Sequence, residues 1–224
     1  MAIILAIETS TKNCSVALFD SSRILAIKES DKQQYVHSEK LTLFIQEVID
    51  MANISLNDLD AIAISKGPGS YTGLRIGTST AKGLCYALDI PLISVSTLKS
   101  MAFGMSKNHL AKIYCPMIDA RRDEVFAALF DANNKELRPV QADIVDKNTY
   151  QIFLNQKVLF FGDGALKCKE IILDENAIFI DQNIYPTAKD LGEIAEIKYQ
   201  NKDFEDTAYF EPFYLKDFVL GKKN

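Results

Sequence analysis

Residues 7–20 and 118–131 read alike at a constant offset of 111 positions. Ile7 matches Ile118, Ala17 matches Ala128, Leu18 matches Leu129, Phe19 matches Phe130 and Asp20 matches Asp131, while Glu8 and Asp119 agree in charge. Each copy is an apolar run ending in an acidic residue, a short polar turn, and a second apolar run closing on Asp. That pattern is a β-hairpin with a carboxylate where the first strand meets the turn. An offset that halves the 224-residue chain points to one supersecondary unit used twice.

Helix and strand patterns alternate around each copy. Segment 33–52 carries Val36, Leu41, Phe44, Ile45, Val48, Ile49 and Ala52 at helical spacing, with Asn53 as a stop. Segment 59–65 reads as a strand, 71–88 as a second helix and Ile90–Val95 as a short strand. In the second half, Val158–Phe161 and Ala177–Ile180 read as strands and Leu191–Tyr199 as a helix. Pro212 precedes a last segment, Phe213–Leu220, and a frayed tail. A break is expected near Met101–Lys112, where Gly104, Ser106, Lys107 and Asn108 cluster. The expectation is a two-lobed α/β protein, with lobes 1–103 and 104–224 and the last segment packing back on the first.

Composition narrows the function. A chain of this size buries roughly 70% of its unfolded surface. With 48% hydrophobic and 25% charged residues it is an ordered globular chain. Its net charge of −5 argues against a free-standing nucleic-acid binder, and leaves room for a subunit whose partner holds the nucleic acid. No run of ~18 apolar residues suggests a membrane span. The apolar start reaches Glu8 without a basic region or cleavage site, so it reads as a buried strand. Cys14, Cys85, Cys115 and Cys168 form no CxxC pair, which argues against structural zinc or a disulfide framework and for a reduced cytoplasm. The two histidines, His37 and His109, are too few for a His-rich metal site or a His-dependent triad.

Lys66-Gly67-Pro68-Gly69-Ser70-Tyr71-Thr72-Gly73-Leu74-Arg75-Ile76-Gly77 follows a strand and opens a helix. It is neither a Walker A loop nor GxGxxG, whose third glycine position holds Thr72. Such a junction can cradle an anion. The heavier reading is close packing or partner docking along the small side Gly73, Gly77, Ser79, Ala81, Gly83 and Ala87. Glu8-Thr9-Ser10-Thr11 would face phosphates and organise Mg²⁺ in a nucleotide-binding lobe. The alternative is a turn whose hydroxyls satisfy local backbone groups. Asp119-Ala120-Arg121 is its counterpart. Gly162-Asp163-Gly164 reads as a tight turn or an adenosine contact, and Ser38 beside His37 as a helix cap.

Taken together, Ile4–Ser10, His37-Ser38, Gly67–Gly77, Ala81-Lys82-Gly83, Asp119-Ala120-Arg121 with Glu124-Val125-Phe126, Gly162-Asp163-Gly164 and Tyr214-Leu215 resemble the TsaB (YeaZ) family, in order and over nearly the whole chain. The resemblance implies an actin/hexokinase/Hsp70-like fold of two duplicated lobes. It also implies a part in forming N6-threonylcarbamoyladenosine at position 37 of tRNA. The catalytic paralogue family, TsaD, binds its metal through a Val-Asn-His-x-x-x-His stretch. Here the corresponding stretch is Val95–Met101, with Thr97 and Met101 at the histidine positions, and neither replaces imidazole. Glu8 stands where an Asp is common.

The chain is therefore expected to be a non-catalytic scaffold or activator without a metal site. It would pair with a TsaD-like subunit through the helices 33–52 and 71–88. The expected interface residues are His37, Leu41, Phe44, Ile45, Val48, Tyr71, Gly73, Leu74, Ile76, Gly77, Thr80 and Ala81. Glu8, Thr9, Ser10, Asp119, Arg121, Gly162, Asp163 and Gly164 are expected as vestigial nucleotide or phosphate turns. ATP or ADP would bind only weakly or in the assembled complex. A TsaE-like ATPase would join, a TsaC-like enzyme would supply the substrate, tRNA contact would be indirect, and the chain alone would form a homodimer. The rivals are a small ATP-dependent kinase of the same fold and a glycoprotease-like metallopeptidase.

Overall fold

The structure is a computed structural model and describes residues 2–30 and 37–216. The elements run β1 (Ile3–Glu8), β2 (Ser15–Asp20), β3 (Arg23–Glu29), α1 (His37–Ala52), β4 (Ala61–Ser65), α2 (Tyr71–Leu88), β5 (Leu92–Val95) and α3 (Thr97–Ser106). The second half adds β6 (Ile113–Asp119), β7 (Glu124–Asp131), β8 (Glu136–Ile144), β9 (Val158–Phe161), β10 (Ala177–Phe179) and α4 (Ala188–Gln200). They build two five-stranded sheets, ordered β3-β2-β1-β4-β5 and β8-β7-β6-β9-β10 when both are read from the antiparallel edge. In each sheet the first three strands of the unit are antiparallel neighbours and the last two join in parallel.

The repeat is thus one of topology, and the offset of 111 holds in the structure: Glu8 closes β1 and Asp119 closes β6. The fold is two lobes, each built on the same five-stranded sheet topology.

Period-2 side-chain alternation explains how each sheet is covered on both faces. From β1, Leu5 and Ile7 point to the face under α1 and α2, with Val16, Leu18, Ile62 and Ile64. Ile4 and Ala6 point the other way, to α4, with Ala17, Phe19, Ala61 and Ala63. The alanines on that face bring α4 close, and a Cβ at Gly192 would sit 2.0 Å from the Phe19 ring. So α4, late in the sequence, belongs to the first sheet. The second sheet receives α3 through Leu98, Met101 and Met105 on one face. Its other face is covered by Tyr150, Leu154, Cys168 and Ile172 from loops and 3-10 turns.

The helices and strands expected at 33–52, 59–65, 71–88, 90–95, 158–161, 177–180 and 191–199 are present among the described residues as 37–52, 61–65, 71–88, 92–95, 158–161, 177–179 and 188–200. Val36 and residues 217–224 of the last segment lie outside the described residues. Of the break expected near Met101–Lys112, residues 107–112 are the connection from α3 to β6, whereas Met101–Ser106 is the second half of α3. Gly104 marks a helix crossing there, since a Cβ on it would lie 2.4 Å from the Asp190 carboxyl carbon of α4. The 103/104 boundary falls inside this helix. No helix among the described residues is long and apolar enough to cross a membrane.

Candidate functional site

The two lobes meet at the C-terminal ends of β1, β4, β6 and β9, where open α/β sheets place ligands. A cleft of about 520 Å³ opens there. It is lined by Ser10, Thr11 and Lys12 from the first turn and by Gly69–Thr72 from the start of α2. Asp119, Arg121 and Asp163 line it from the second lobe, and Tyr214 and Lys216 from the last described segment.

The first turn is mostly sealed. Glu8 is fully buried, and its Oε1 accepts from the Ser10 amide at 2.7 Å and from Ser65 Oγ at 2.8 Å. Burial pushes its carboxyl above the ordinary range, against the pull of those hydrogen bonds. Thr9 is also fully buried and donates from Oγ1 to the Gly73 carbonyl at 2.9 Å. The glycine-rich run explains the seal. A Cβ at Gly69 would lie 2.2 Å from the Ser10 carbonyl oxygen, at Gly73 2.1 Å from the Thr9 carbonyl oxygen, and at Gly77 2.2 Å from Thr9 Oγ1. Ser70 caps α2 by accepting from the Gly73 amide. Its own amide donates to the Ser10 carbonyl at 2.6 Å. His37, 3% exposed, bonds through Nε2 to the Thr11 carbonyl at 2.7 Å, and burial lowers its pKa, which favours the neutral ring. Of Glu8, Thr9 and Ser10, only Ser10 reaches the cleft wall.

The second turn is open. Asp119 is exposed; its Oδ1 accepts from the Arg121 amide at 3.0 Å and from Lys167 Nζ at 2.5 Å. Asp163 Oδ1 accepts from the Asp119 amide at 2.9 Å. Burial raises the Asp163 carboxyl, and the Asp119 charge raises it further, while Lys12 opposes both. Gly162 and Gly164 do not line the cleft. A Cβ on Gly162, which has φ +115°, would lie 2.1 Å from the Met117 carbonyl oxygen, and one on Gly164 would crowd the backbone at Ile118 and Asp119. These glycines let the turn after β9 lie against β6.

The expected partner-facing residues need correction. His37, Leu41, Phe44, Ile45, Val48, Gly73, Leu74, Gly77 and Ala81 are buried, and Ile76 packs partly against the same core. Their stripes are spent holding α1 and α2 on their own sheet. Thr80 and Tyr71 are half-buried, the Tyr71 ring meeting that of Tyr214 at 4.7 Å between centroids and a 40° tilt. The free surface of these helices is the opposite side: Leu43 and Met51 on α1, and Thr72, Arg75, Ser79, Gly83, Tyr86 and Ala87 on α2. Tyr86 is 88% exposed. The α2 heptad-like spacing of 72, 75, 79, 83 and 86 could have shown that side from sequence. At the positions of the paralogue's metal histidines, Thr97 and Met101 are buried in α3, and Met101 packs on the second sheet. Among the described residues no three His, Cys, Asp or Glu side chains gather where they could hold a metal.

The family model described as "TsaD: tRNA N6-adenosine threonylcarbamoyltransferase" matches residues 31–220. The chain is 30% identical to the tRNA threonylcarbamoyladenosine biosynthesis protein TsaB of Escherichia coli (strain K12), over 98% of this chain and 97% of that protein. It is 38% identical to a tRNA N6-adenosine threonylcarbamoyltransferase of Staphylococcus haemolyticus, over 48% of this chain and 35% of that protein. The solved structure of YeaZ from Pseudomonas aeruginosa superposes with a TM-score of 0.80 at 26% identity, covering 96% of this chain and all of that one.

Proposed function

From the premise that the chain belongs to the TsaB family of tRNA threonylcarbamoyladenosine biosynthesis proteins, we propose that it acts as the non-catalytic subunit of a threonylcarbamoyltransferase complex. A TsaD-like partner performs the transfer to the N6 of adenosine 37, and this chain holds that partner in its working form. The docking surface is the outer side of α1 and α2.

Gly83 is the observation that carries the reading. Gly69, Gly73 and Gly77 each have an internal reason, because a Cβ there would strike the first turn. Gly83 is exposed, and a Cβ on it would meet nothing within 4 Å. A glycine in a helix interior costs about 1 kcal/mol relative to alanine. Nothing among the described residues offsets that cost. A helix from a partner, approaching at backbone distance between Ser79 and Ala87 and against Tyr86, gives Gly83 a use. The acidic charge of the chain fits a division of labour in which the partner holds the tRNA. In the same reading a TsaE-like ATPase joins the pair, a TsaC-like enzyme supplies the threonylcarbamoyl adenylate, and the chain alone uses the same face to form a homodimer in the cytoplasm. The seal over Glu8 supports a chain that holds ATP or ADP weakly, or only within the complex.

An omission assay tests this. The TsaC-, TsaD- and TsaE-like proteins of the same organism are combined with tRNA, threonine, bicarbonate and ATP. Threonylcarbamoyladenosine is then quantified by mass spectrometry of the digested tRNA. The expected result is product only when this chain is present, and none from this chain alone. Equal product without it would sink the role.

A further inference from the structure

The chain passes between the two lobes three times. The first crossing is α3 and the second is the stretch from β10 to α4; both are needed to connect elements of the two sheets. The third is the segment after Phe210, and no element follows it among the described residues.

Its path is well fixed at both ends. On the first lobe, Lys82 Nζ donates to the carbonyls of Ala208 and Phe210, each at 3.0 Å, and the Phe210 side chain joins the core under α1 and α2. The Phe213 amide donates to the Lys66 carbonyl at 2.7 Å. The Tyr214 ring then lies on Tyr71 at the start of α2. The Arg75 guanidinium covers the other ring of that pair, 4.2 Å from the Tyr71 centroid. One residue later the chain has changed lobes. Leu215 packs on the α3 side of the second sheet. Lys216 pairs with Glu124 of β7 and sits 5.8 Å from the centre of the Phe126 ring. All four residues, Phe213–Lys216, wall the cleft.

We infer that Phe213–Lys216 is a clasp that holds the two lobes closed over the cleft. The other two crossings form the hinge, and hinge closure of this kind is set by a few segments at element ends. A segment that links two sheets and joins no further element among the described residues can release without unfolding either lobe, whose cores are separate clusters. The contacts that would be broken are one backbone hydrogen bond, one aromatic pair, the packing of Leu215, one cation over a ring and one half-exposed ion pair. Each is individually weak, which is what a clasp that opens requires.

Pulsed EPR on the full chain reads lobe separation directly. Spin labels are placed through Asn57→Cys and Glu170→Cys, both exposed positions on different lobes. The four native thiols are buried and leave the labelling selective. The parent chain is expected to give one narrow distance distribution. Combining Tyr214→Ala with Lys216→Glu is expected to shift the ratio of open to closed forms by about tenfold, seen as a second population at a changed distance. Adding Glu124→Lys to Lys216→Glu is expected to recover the charge-dependent part. If the double substitution prevents folding, as judged by circular dichroism, a chain ending at Pro212 replaces it. An unchanged distribution in the folded double variant or in the shortened chain overturns the clasp.

Discussion

Glu8 and Asp119 close equivalent strands of equivalent sheets, and the backbone carries them to the same place in each lobe. Their surroundings have diverged. Glu8 is wholly inside, answered by Ser10 and Ser65, whereas Asp119 stands in the cleft beside Lys167 and Arg121. The cause lies in the element that packs over each turn. In the first lobe a long helix, α2, starts directly over the turn, and three glycines let its backbone touch Thr9 and Ser10. In the second lobe β9 leads into no long helix; a short glycine turn lies against β6 instead and leaves the carboxylate wet. A duplicated fold has thus been used once for solidity and once for an open surface. The two carboxylates that line the cleft, Asp119 and Asp163, both belong to the second lobe.

Four substitutions measure that difference. The largest effect is expected from Gly73→Ala. Its Cβ would be placed 2.1 Å from the Thr9 carbonyl oxygen, backbone against backbone, with no flexible side chain to yield. Overpacking of this kind costs typically 1–3 kcal/mol and occasionally more, so a loss of about 3 kcal/mol in urea unfolding is expected. A loss below about 0.5 kcal/mol would mean that α2 is not seated on the first turn.

Glu8→Gln comes next. A carboxyl held above its ordinary value of 4.5 binds its proton more tightly in the folded chain than in the unfolded one. The stability it contributes is complete below that value and is lost as the pH rises through the raised one. Gln keeps an acceptor for the Ser10 amide and Ser65 and carries no charge to bury. The variant is therefore expected to be more stable than the parent at pH 8, by about 1–2 kcal/mol, and to lose the downward slope. Thermal unfolding between pH 4.5 and pH 8 checks the sign, and parallel curves for the two proteins would show that Glu8 does not titrate with folding.

Gly83→Ala separates the two uses of glycine within one helix. The exposed position has room for a methyl, so the free chain is expected to gain roughly 0.5–1 kcal/mol from helix propensity. Binding to a TsaD-like partner, measured by calorimetry, is expected to weaken. Unaltered binding would move the docking surface off this side of α2.

Much of this was legible in the sequence. The offset of 111 exposed the duplication, because β1–β2 and β6–β7 keep the same apolar alternation. Helices α1, α2 and α4 announced themselves through wide apolar stripes. Others were not readable. β3 and β8 are edge strands paired on one side only, and their exposed faces mute the apolar signal. In α3, Gly104 and Ser106 look like a break, and the Asp190 carboxyl that requires the glycine is 86 positions away in sequence. For the site, the spacing of 72, 75, 79, 83 and 86 marked the outer side of α2, whereas the apolar stripe of α1 did not show whether it faced a sheet or a partner. Leu41, Phe44 and Val48 looked as suited to a partner as to a sheet, and their own sheet took them. The depth of Glu8 was hidden for the same reason, since it depends on Gly69, Gly73 and Gly77 meeting a turn 60 or so residues earlier.

Asp119→Asn is the counterpart of the Glu8 experiment and should do least. The side chain is exposed, and Asn retains an oxygen to accept from the Arg121 amide. Lys167 is held independently by the carbonyls of Arg122 at 2.9 Å and Glu124 at 2.7 Å, so it does not lose its place when the charge goes. A half-exposed ion pair of this kind contributes about 0–1 kcal/mol, and a change within about 0.5 kcal/mol is expected in urea unfolding. A loss of about 2 kcal/mol or more would mean that Asp119 supports the second lobe as Glu8 is built into the first, and the division between a sealed turn and an open one would fall. A neutral result makes Asp119 a residue whose position in the cleft wall is not required by the fold, which leaves it free to be read for binding.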